Sequence, residues 1–361
     1  MTISPTKTIA PTPVPGLEGL RPYALPPRPP QIDLHLDLNE GRAPSDAIMR
    51  TLAAITPAQA RLYESPTALE ARIAERWAID PNRVVVTAGA DQAIEATCRA
   101  YLAPGRRLLV HTPSFEMIPR SAKLTGGALD HVTWLDGAFP LDDYLAAIAP
   151  DTSICTVVTP NNPTGGVLTL DQLRTLADRA AVHGAILLVD LAYAEFADED
   201  PQPALSDLPN CVFLRTFSKA FGLAGLRIGY AVAEPAIADA LRTVVGPFPV
   251  STPATLAAAT ALDHPEATAA FTARVRTERD ELTRLLTQNG VAANPSQGNF
   301  VLARTPDPVA LRDALADRGI AVRVWPGREH LTDTVRIALP GDEADFARLT
   351  AALNDILGAK P

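Results

Sequence analysis

The sequence predicts an α/β fold, in which a large domain with a doubly wound, mostly parallel sheet is followed by a smaller α+β domain. Short, continuously apolar segments alternate with helical stretches from about residue 67 onward. Continuous apolarity indicates strands that are covered on both faces, as in a parallel sheet between two helical layers. After about residue 260 the pattern changes to one long helix and then a short mixed series of strands and helices. A chain of 361 residues also has the length of about two domains.

The large domain opens with a helical pattern over Thr67–Trp77, which leads into the β-branched strand Val84–Thr87. Helical spacing returns at residues 91–102 and at residues 170–183, and the second stretch is long enough for a right-handed crossover between parallel strands. The remaining buried strands are predicted at residues 108–110, 154–158, 186–189 and 212–214.

The small domain begins with a long helix, which ends at the helix stop Asn289-Gly290. Its predicted elements are helices at 264–288, 308–318 and 343–357 and strands at 299–303, 320–324 and 334–339.

We divide the chain into an N-terminal arm (1–40) that packs with the small domain, a large domain (41–260) and a small domain (261–361). The arm is rich in proline and includes the run Pro26-Pro27-Arg28-Pro29-Pro30. Because proline lacks a backbone N–H and fixes φ, we expect the arm to be extended rather than helical.

Charge and composition narrow the class of partners. Thirty-two basic against 41 acidic residues give a net charge of −9, without a basic cluster, which argues against nucleic acid or an anionic membrane. No apolar run approaches the roughly 18–20 residues that span a bilayer, and no secretory signal is visible. The three cysteines are far apart and lie in apolar stretches, as expected for reduced thiols of a cytoplasmic enzyme.

Chemistry-bearing residues follow the predicted strands, where a doubly wound sheet binds its ligands. A turn of small residues that includes Ala90 and Asp91 follows the first strand and precedes a helix. Its free N–H groups could bind a phosphate, or the segment could be a plain tight turn. Asn162 lies in a Pro- and Gly-rich turn, and Asp190 ends the strand at 186–189. A buried aspartate is costly unless it meets a cation, so Asp190 is a helix N-cap, a surface acid or a partner for a cationic ring nitrogen.

Lys219 is the next candidate. We predict that the strand starting near Phe213 continues through Ser218, so that Thr216 and Ser218 share one face and Lys219 lies at the strand exit. A lysine is usually a solvated surface charge, but this one follows an apolar strand and is flanked by hydroxyls. Eight residues later comes Arg227, which we expect to be buried.

These motifs resemble those of fold type I pyridoxal-phosphate enzymes, and specifically of class I/II aminotransferases with the aspartate-aminotransferase-like fold. The matching stretches are N-P-T-G at 162–165, V-D-x-A-Y at 189–193 and S-K-A-F-G-L-x-G-x-R-x-G at 218–229. The resemblance covers nearly the whole chain.

The resemblance implies pyridoxal 5′-phosphate as cofactor and a role for each matching residue. Lys219 would hold the cofactor covalently and then move the substrate α-proton. Asp190 would keep the pyridine nitrogen protonated, and Asn162 and Tyr193 would donate hydrogen bonds to the phenolic oxygen. The aromatic ring that stacks on the cofactor would be Phe115.

The resemblance also implies which residues bind the cofactor phosphate and how a partner subunit contributes to the site. The phosphate would be bound by the backbone N–H groups of Ala90 and Asp91 and by the side chains of Thr216, Ser218 and Arg227. Tyr63 aligns with a tyrosine that reaches the neighbouring subunit's cofactor phosphate, which implies a homodimer with shared active sites.

Within this family the chain is most similar to histidinol-phosphate aminotransferases. The similarity rests on Arg21-Pro22-Tyr23, on residues 36–40, on the Tyr63 segment and on the small-domain arginines. It implies an anion pocket of Tyr23, Arg323 and Arg336, with Asn162 also at the substrate. The expected reaction takes an amino group from histidinol phosphate, the amino donor, to 2-oxoglutarate, the 2-oxo acid acceptor.

The chain departs from the family pattern at the substrate end. Gly41-Arg42 replaces the usual Asn-Pro, and Phe115 replaces a tyrosine. Arg42 either adds a charge at the substrate mouth or is solvated, and we expect it to be solvated. Three alternatives remain open: an aminotransferase for an aromatic or other amino acid, a threonine-phosphate-decarboxylase-like lyase, and a regulator, for whose winged-helix domain the arm leaves no room. We expect no metal site. We expect Trp325 to lie in the core or at an interface; the alternative is that it lines the substrate pocket.

Overall fold

The computed structural model describes residues 12–23 and 29–358, and its strands form two sheets. The larger sheet has seven strands in the spatial order β2-β8-β7-β6-β5-β3-β4. The first strand in the chain, β1 (Leu34–Leu36), belongs to the smaller sheet. The strands of the larger sheet are β2 (Val84–Thr87), β3 (Arg107–Thr112), β4 (Ala128–Thr133), β5 (Thr152–Val158), β6 (Ile186–Asp190), β7 (Cys211–Thr216) and β8 (Gly229–Ala233).

All pairings in this sheet are parallel except those of β8, which runs antiparallel to both β2 and β7. Every residue of β5, β6 and β7 is buried, because helices cover both faces. The predicted doubly wound, mostly parallel α/β sheet is therefore confirmed. The antiparallel β8 was not predicted.

The helices in chain order are α1 (Asp46–Ala53), α2 (Pro57–Ala60), α3 (Thr67–Trp77), α4 (Gly89–Tyr101), α5 (Met117–Leu124), α6 (Leu141–Ala147), α7 (Leu170–Val182), α8 (Gln202–Leu205), α9 (Pro235–Val245), α10 (Thr252–Asp263), α11 (Pro265–Gln288), α12 (Pro308–Ala316) and α13 (Glu343–Gly358). Helix α7 begins at Leu170 because Thr169 and Gln172 form a reciprocal capping box. Seven helices were not predicted, namely α1, α2, α5, α6, α8, α9 and α10, nor were strands β1, β4 and β9 (Ala292–Ala293).

The smaller sheet has the order β1-β11-β12-β10-β9 and is completed by β9 (Ala292–Ala293), β10 (Phe300–Arg304), β11 (Ile320–Val324) and β12 (Thr334–Ala338). Strand β1 pairs in parallel with β11, so the segment just after the proline-rich stretch is part of this sheet. A separate apolar cluster, which includes Phe271, Phe300 and Leu349, packs beneath it.

Three predictions about local structure were wrong. Residues Pro15–Leu17 form a 3-10 helical turn, because proline suits the first helical positions even though it cannot continue a helix. Strand β7 ends at Thr216, so Ser218 and Lys219 lie in the turn beyond it. Arg42 is only partly exposed, and its guanidinium lies 5.8 Å from the ring centroid of Phe271. Residues 26–28 of the proline run lie outside the described residues.

No helix in residues 12–23 and 29–358 is long and apolar enough to cross a membrane. Within the same residues, no group of three or more histidine, cysteine, aspartate or glutamate side chains is placed to hold a metal ion.

Candidate active site

A pocket lies where the carboxyl ends of β5, β6 and β7 face the smaller sheet. Its walls combine the turns after these strands, the start of α4, the arm and the loop between β11 and β12. Every site residue predicted from the sequence except Tyr63 lines this pocket: Tyr23, Ala90, Asp91, Phe115, Asn162, Asp190, Tyr193, Thr216, Ser218, Lys219, Arg227, Arg323 and Arg336.

Lys219 presents its amine inside the pocket. Its Nζ donates a hydrogen bond to the backbone oxygen of Leu38, 2.9 Å away. Burial, followed by the positive charge of Arg336, lowers the pKa of Lys219 to about 8. A larger fraction of this amine is therefore neutral at physiological pH than in an ordinary lysine, which favours a nucleophilic or proton-accepting role.

Asp190, the last residue of β6, places a buried carboxylate at the floor of the pocket. Oδ1 accepts a hydrogen bond from the backbone N–H of Ala192 at 3.0 Å. Burial is the main cause that raises the pKa of Asp190 to about 6, and nearby Asp91 adds to it while Lys219 opposes it. A cationic ligand beside this carboxylate would offset the desolvation cost and keep it ionised.

The start of α4 and the turn after β7 form an end of the pocket that suits an anion. Ala88, the residue before α4, has no side-chain hydrogen bond that caps the first N–H groups of the helix. The hydroxyls of Thr216 and Ser218 lie 2.9 Å apart because the backbone turns between them. Arg227 reaches the same end and lies 3.2 Å from the Asp91 carboxylate, but half of its side chain is exposed, so the expectation of burial was wrong.

Gly89 at the start of α4 supplies the first prediction. Its φ is +78°, and a Cβ there would lie 2.8 Å from Nη2 of Arg227. We expect Gly89→Ala to displace this guanidinium and weaken binding of a phosphate-bearing cofactor about tenfold, as for loss of one charge-assisted hydrogen bond. The measurement is a cofactor titration of the apoprotein.

Gly184→Ala is the matched control for this prediction. Gly184 has φ +65°, and no atom lies within 4 Å of the point that a Cβ would occupy there. Both variants should lose about 1–2 kcal/mol of stability from the left-handed backbone, but only Gly89→Ala should lose cofactor affinity. Equal cofactor affinity in the two variants would contradict the role of Arg227.

Asn162 and Tyr193 lie on the pocket wall, each with a partner in the protein. Arg336 donates to Oδ1 of Asn162 at 2.6 Å, and Asn39 donates to the hydroxyl of Tyr193 at 3.0 Å. Asn39 is fully buried and was not predicted as a site residue, although it lies within a segment that carried the resemblance. It orients Tyr193 from outside the pocket lining.

The side of the pocket formed by β11 and β12 contains two arginines and an aromatic ring. The guanidinium of Arg336 lies 5.5 Å from the ring centroids of both Phe300 and Trp325, and that of Arg323 lies 5.7 Å from Trp325. Burial lowers the pKa of Arg336 to about 10, so it remains cationic at neutral pH. Trp325 therefore lines the pocket, which the sequence analysis had kept only as the alternative to a core position.

Two further lining residues, Glu116 and Arg328, were missed from the sequence. Glu116 follows Phe115 directly, Arg328 lies in the β11–β12 loop, and Nη1 of Arg328 lies 2.8 Å from Oε2 of Glu116. They are 212 positions apart, and no local pattern connects them.

Tyr63 is outside the pocket of its own chain. Its side chain is 83% exposed and stacks on Phe248, with ring centroids 4.5 Å apart. Its expected role at a neighbouring subunit's site stays a prediction.

Comparison with known proteins assigns the chain to a class of proteins. A family model described as aminotransferase class I and II matches residues 37–353. The chain belongs to this family, and its predicted aminotransferase resemblance is confirmed.

Particular relatives narrow the similarity further. The histidinol-phosphate aminotransferase of Haloferax volcanii is 36% identical to this chain over 90% of both proteins. That of Paramagnetospirillum magneticum is 33% identical over 97% of this chain and 99% of its own length.

Solved structures share the fold. The histidinol-phosphate aminotransferase from Sinorhizobium meliloti, in complex with pyridoxal-5′-phosphate, has a TM-score of 0.85 and 24% identity, over 98% of this chain and 100% of that one. The aspartate aminotransferase from Thermus thermophilus with maleate has a TM-score of 0.77 and 26% identity, covering 91% and 92% of the two chains. The predicted aspartate-aminotransferase-like fold is thereby confirmed.

The pocket fits pyridoxal phosphate, the cofactor that the resemblance implies. The uncapped start of α4, the Thr216 hydroxyl and Arg227 supply the donors that a phosphate needs, and the missing Cβ of Gly89 leaves them room. Asp190 suits a protonated ring nitrogen, and the lowered pKa of Lys219 suits attachment to an aldehyde.

Proposed function

We propose that this chain transfers the amino group of L-histidinol phosphate to 2-oxoglutarate with pyridoxal 5′-phosphate as cofactor. The observation that carries the proposal is the position of Arg323 and Arg336 in the same pocket as the Lys219 amine. Two guanidinium groups suit a substrate that has a phosphate at the end away from its reacting amine. The names of relatives 33–36% identical to this chain support the same substrate.

Each cofactor-side residue has a distinct task in this proposal. When bound, pyridoxal phosphate supplies an electron sink for the charge that develops at the substrate α-carbon. With the cofactor bound, Lys219 Nζ would accept the proton from that carbon, and the carboxylate of Asp190 would keep a proton on the ring nitrogen. Asn162 and Tyr193 would hold the cofactor through its phenolic oxygen, and Phe115 would pack against its ring.

The arginines and Tyr23 bind the substrate's phosphate end. Arg336 is held in place by Asn162 and by the backbone oxygen of Asp37, 2.6 Å from Nη2. This fixed geometry favours recognition of an anion at one position, because little side-chain entropy is lost when the anion binds. Tyr23, from the arm, lines the same end.

The experiment compares histidinol phosphate with histidinol, which lacks the phosphate, in the wild type and in Arg323→Gln. We expect KM for histidinol phosphate to rise about 10- to 100-fold, since a hydrogen bond to a charged group contributes about 1.5–3 kcal/mol. The KM for histidinol should change less than about threefold.

Arg312→Gln is the control for this comparison. Arg312 lies on α12, pairs with its neighbour Asp313 and does not line the pocket. Equal losses on both substrates in Arg323→Gln would show that Arg323 does not read the phosphate. Absence of turnover of histidinol phosphate by the wild type would overturn the proposed substrate.

An aminotransferase for an aromatic amino acid is the second candidate. The rings of Trp325 and Phe115 on the pocket wall favour it, with Arg336 then binding a carboxylate. A panel of aromatic donors in the same assay tests this alternative. Release of carbon dioxide from threonine phosphate would identify the lyase instead.

We further propose that the enzyme is a homodimer and that it is cytoplasmic. The proposed domains are the arm (1–40), the large domain (41–260) and the small domain (261–361). The exposed pair of Tyr63 and Phe248, next to exposed Leu62, supports a partner surface. Three buried, unpaired cysteines support a reducing compartment. Sedimentation analysis tests the dimer, and a monomer that is fully active would contradict shared sites.

A further inference from the structure

The turn that carries Tyr193 follows a strand of the larger sheet but packs with the smaller one. Tyr193 lies three residues after the end of β6 and begins a short 3-10 helix at Ala194–Phe196. Tyr193 and Phe196 both belong to the apolar cluster beneath the smaller sheet. Tyr193 packs edge-on against Phe300 of β10, and Phe196 packs in the same way against a ring on α11. Elements of the smaller sheet therefore help to set where the Tyr193 hydroxyl lies.

An arginine of α11 holds the backbone of this turn. The last backbone oxygens of a helix lack N–H partners within that helix. Arg276 donates to three of them in a row: its Nε donates to the oxygen of Phe196 at 3.1 Å. Its Nη2 donates to those of Glu195 and Ala197, at 3.3 and 2.5 Å. Arg279, one helical turn further along α11, adds a bond from Nη1 to the Phe196 oxygen at 3.2 Å.

The guanidinium suits this task better than another cation. Its planar fork donates in several fixed directions at once, and a positive charge is favourable at the carbonyl end of a helix. The larger sheet holds the opposite side of the turn, because Oε1 of Glu195 lies 3.4 Å from Nη2 of the buried Arg215 on β7. Loss of Arg276 would therefore free one side of the turn without detaching it from the larger sheet.

The hydroxyl of Tyr193 is prepared to donate into the pocket. It accepts a hydrogen bond from Asn39 at 3.0 Å, so its own hydrogen remains for another acceptor. Tyr193 lines the pocket, and in the proposed function that acceptor is the phenolic oxygen of the cofactor. A hydrogen bond weakens steeply when donor and acceptor are misaligned, so a small shift of the turn is enough to impair it.

We propose that Arg276 is a positioning residue for Tyr193. By holding three consecutive backbone oxygens just after Tyr193, it keeps the hydroxyl aligned with the phenolic oxygen of the cofactor. Arg276 does not line the pocket and acts only through the backbone of the turn. This inference rests on the role that the proposed function gives to Tyr193.

The experiment follows the absorbance of the cofactor-loaded protein against pH, without any substrate. A hydrogen bond donated to the phenolic oxygen favours its ionised form, so losing that bond raises the midpoint pH at which the band shifts. We expect Tyr193→Phe to raise the midpoint by about one pH unit, as for loss of one hydrogen bond to a charged group, and Arg276→Gln to raise it by about half a unit.

Two further variants separate positioning from a general loosening of the fold. If Arg276 acts through the hydroxyl, the double variant Arg276→Gln, Tyr193→Phe should have the same midpoint as Tyr193→Phe alone. Arg276→Lys keeps the charge but not the planar fork, so its midpoint should lie between those of the wild type and Arg276→Gln. It also serves as the test if Arg276→Gln does not fold.

Arg242→Gln is the matched control. Arg242 on α9 also donates to three backbone oxygens, those of Pro81, Asn82 and Val84, and it does not line the pocket. Its loss should lower the melting temperature about as much as Arg276→Gln does, but it should leave the midpoint pH unchanged. Circular dichroism melting of each variant gives this comparison.

Three outcomes would overturn the inference. The first is an unchanged midpoint in Arg276→Gln beside a raised one in Tyr193→Phe. The second is an equal rise in Arg242→Gln, because loosening of the fold alone would then explain the shift. The third is an unchanged midpoint in Tyr193→Phe, which would also refute the role of Tyr193. Failure of the wild type to transaminate histidinol phosphate, with the expected midpoints intact, would refute the proposed substrate and leave the inference standing.

Discussion

Replacement of Lys219 by alanine is expected to abolish the borohydride-reducible absorbance of the cofactor-loaded protein and to reduce turnover at least 1,000-fold, on the order of the loss of a positioned general base. The physical reason is that Nζ of Lys219 would both attach the cofactor and accept the substrate α-proton. It lies inside the pocket, and burial and Arg336 lower its pKa to about 8, so the neutral amine is available.

Lys123→Ala is the matched control for this result. The described part of the chain contains two lysines, Lys123 and Lys219, and Lys123 is exposed on α5. Loss of the exposed lysine should leave both the absorbance and the turnover intact. A yellow, reducible absorbance that survives Lys219→Ala would contradict the assignment of Lys219. Peptide mapping after reduction would then locate the amine that carries the cofactor.

Asp190→Asn is expected to retain the cofactor but to lose turnover by roughly 100- to 10,000-fold, the range expected when proton control at the reacting centre is lost. The asparagine has the same shape as aspartate but no charge. It therefore cannot hold a proton on the ring nitrogen, and the electron sink is weakened. Single-turnover measurements separate this loss from any change in substrate binding.

The pH dependence of cofactor binding provides a second readout for Asp190. Its pKa is raised to about 6 by burial, so in the cofactor-free protein the carboxylate becomes protonated as the pH falls through about 6. A cationic ring prefers the ionised form, and wild-type affinity should decrease as the pH falls through this range. Asp190→Asn should lack that component. Unchanged turnover, or identical pH profiles in both proteins, would contradict the role of Asp190.

The sheet and the cofactor-side residues follow from local sequence. The predicted apolar runs end at Val158, Val189 and Leu214, and parallel strands bring their carboxyl ends to one edge. Asp190 could be found from that rule alone, because an ionisable group directly after an apolar strand is costly to bury without a partner. Lys219 was found through its flanking hydroxyls and the matching motif, since it lies in the turn beyond β7 rather than at the end of the strand.

The contacts that join distant parts of the chain around the pocket could not be predicted to the same depth. The Glu116–Arg328 pair spans 212 positions, and the bond from Asn39 to Tyr193 spans 154. Periodicity shows which face of an element is buried, but it does not identify the partner across a pocket.

The exposure of Arg227 was mispredicted for a related reason. The residue has a left-handed backbone with φ of 52°, and this turn directs its side chain to the rim of the pocket, where half of it is exposed. Apolar and glycine neighbours in the sequence suggested burial instead. The local conformation decided the outcome, and nothing in the apolar pattern indicates a left-handed residue at that position.

The most direct measurement is the absorbance spectrum of the purified, cofactor-loaded protein after addition of L-histidinol phosphate without any 2-oxo acid. We expect the band near the visible edge to collapse toward the ultraviolet as one amino group is transferred, and 2-oxoglutarate to restore it. A band that does not respond to L-histidinol phosphate but responds to another amino acid would contradict the proposed substrate.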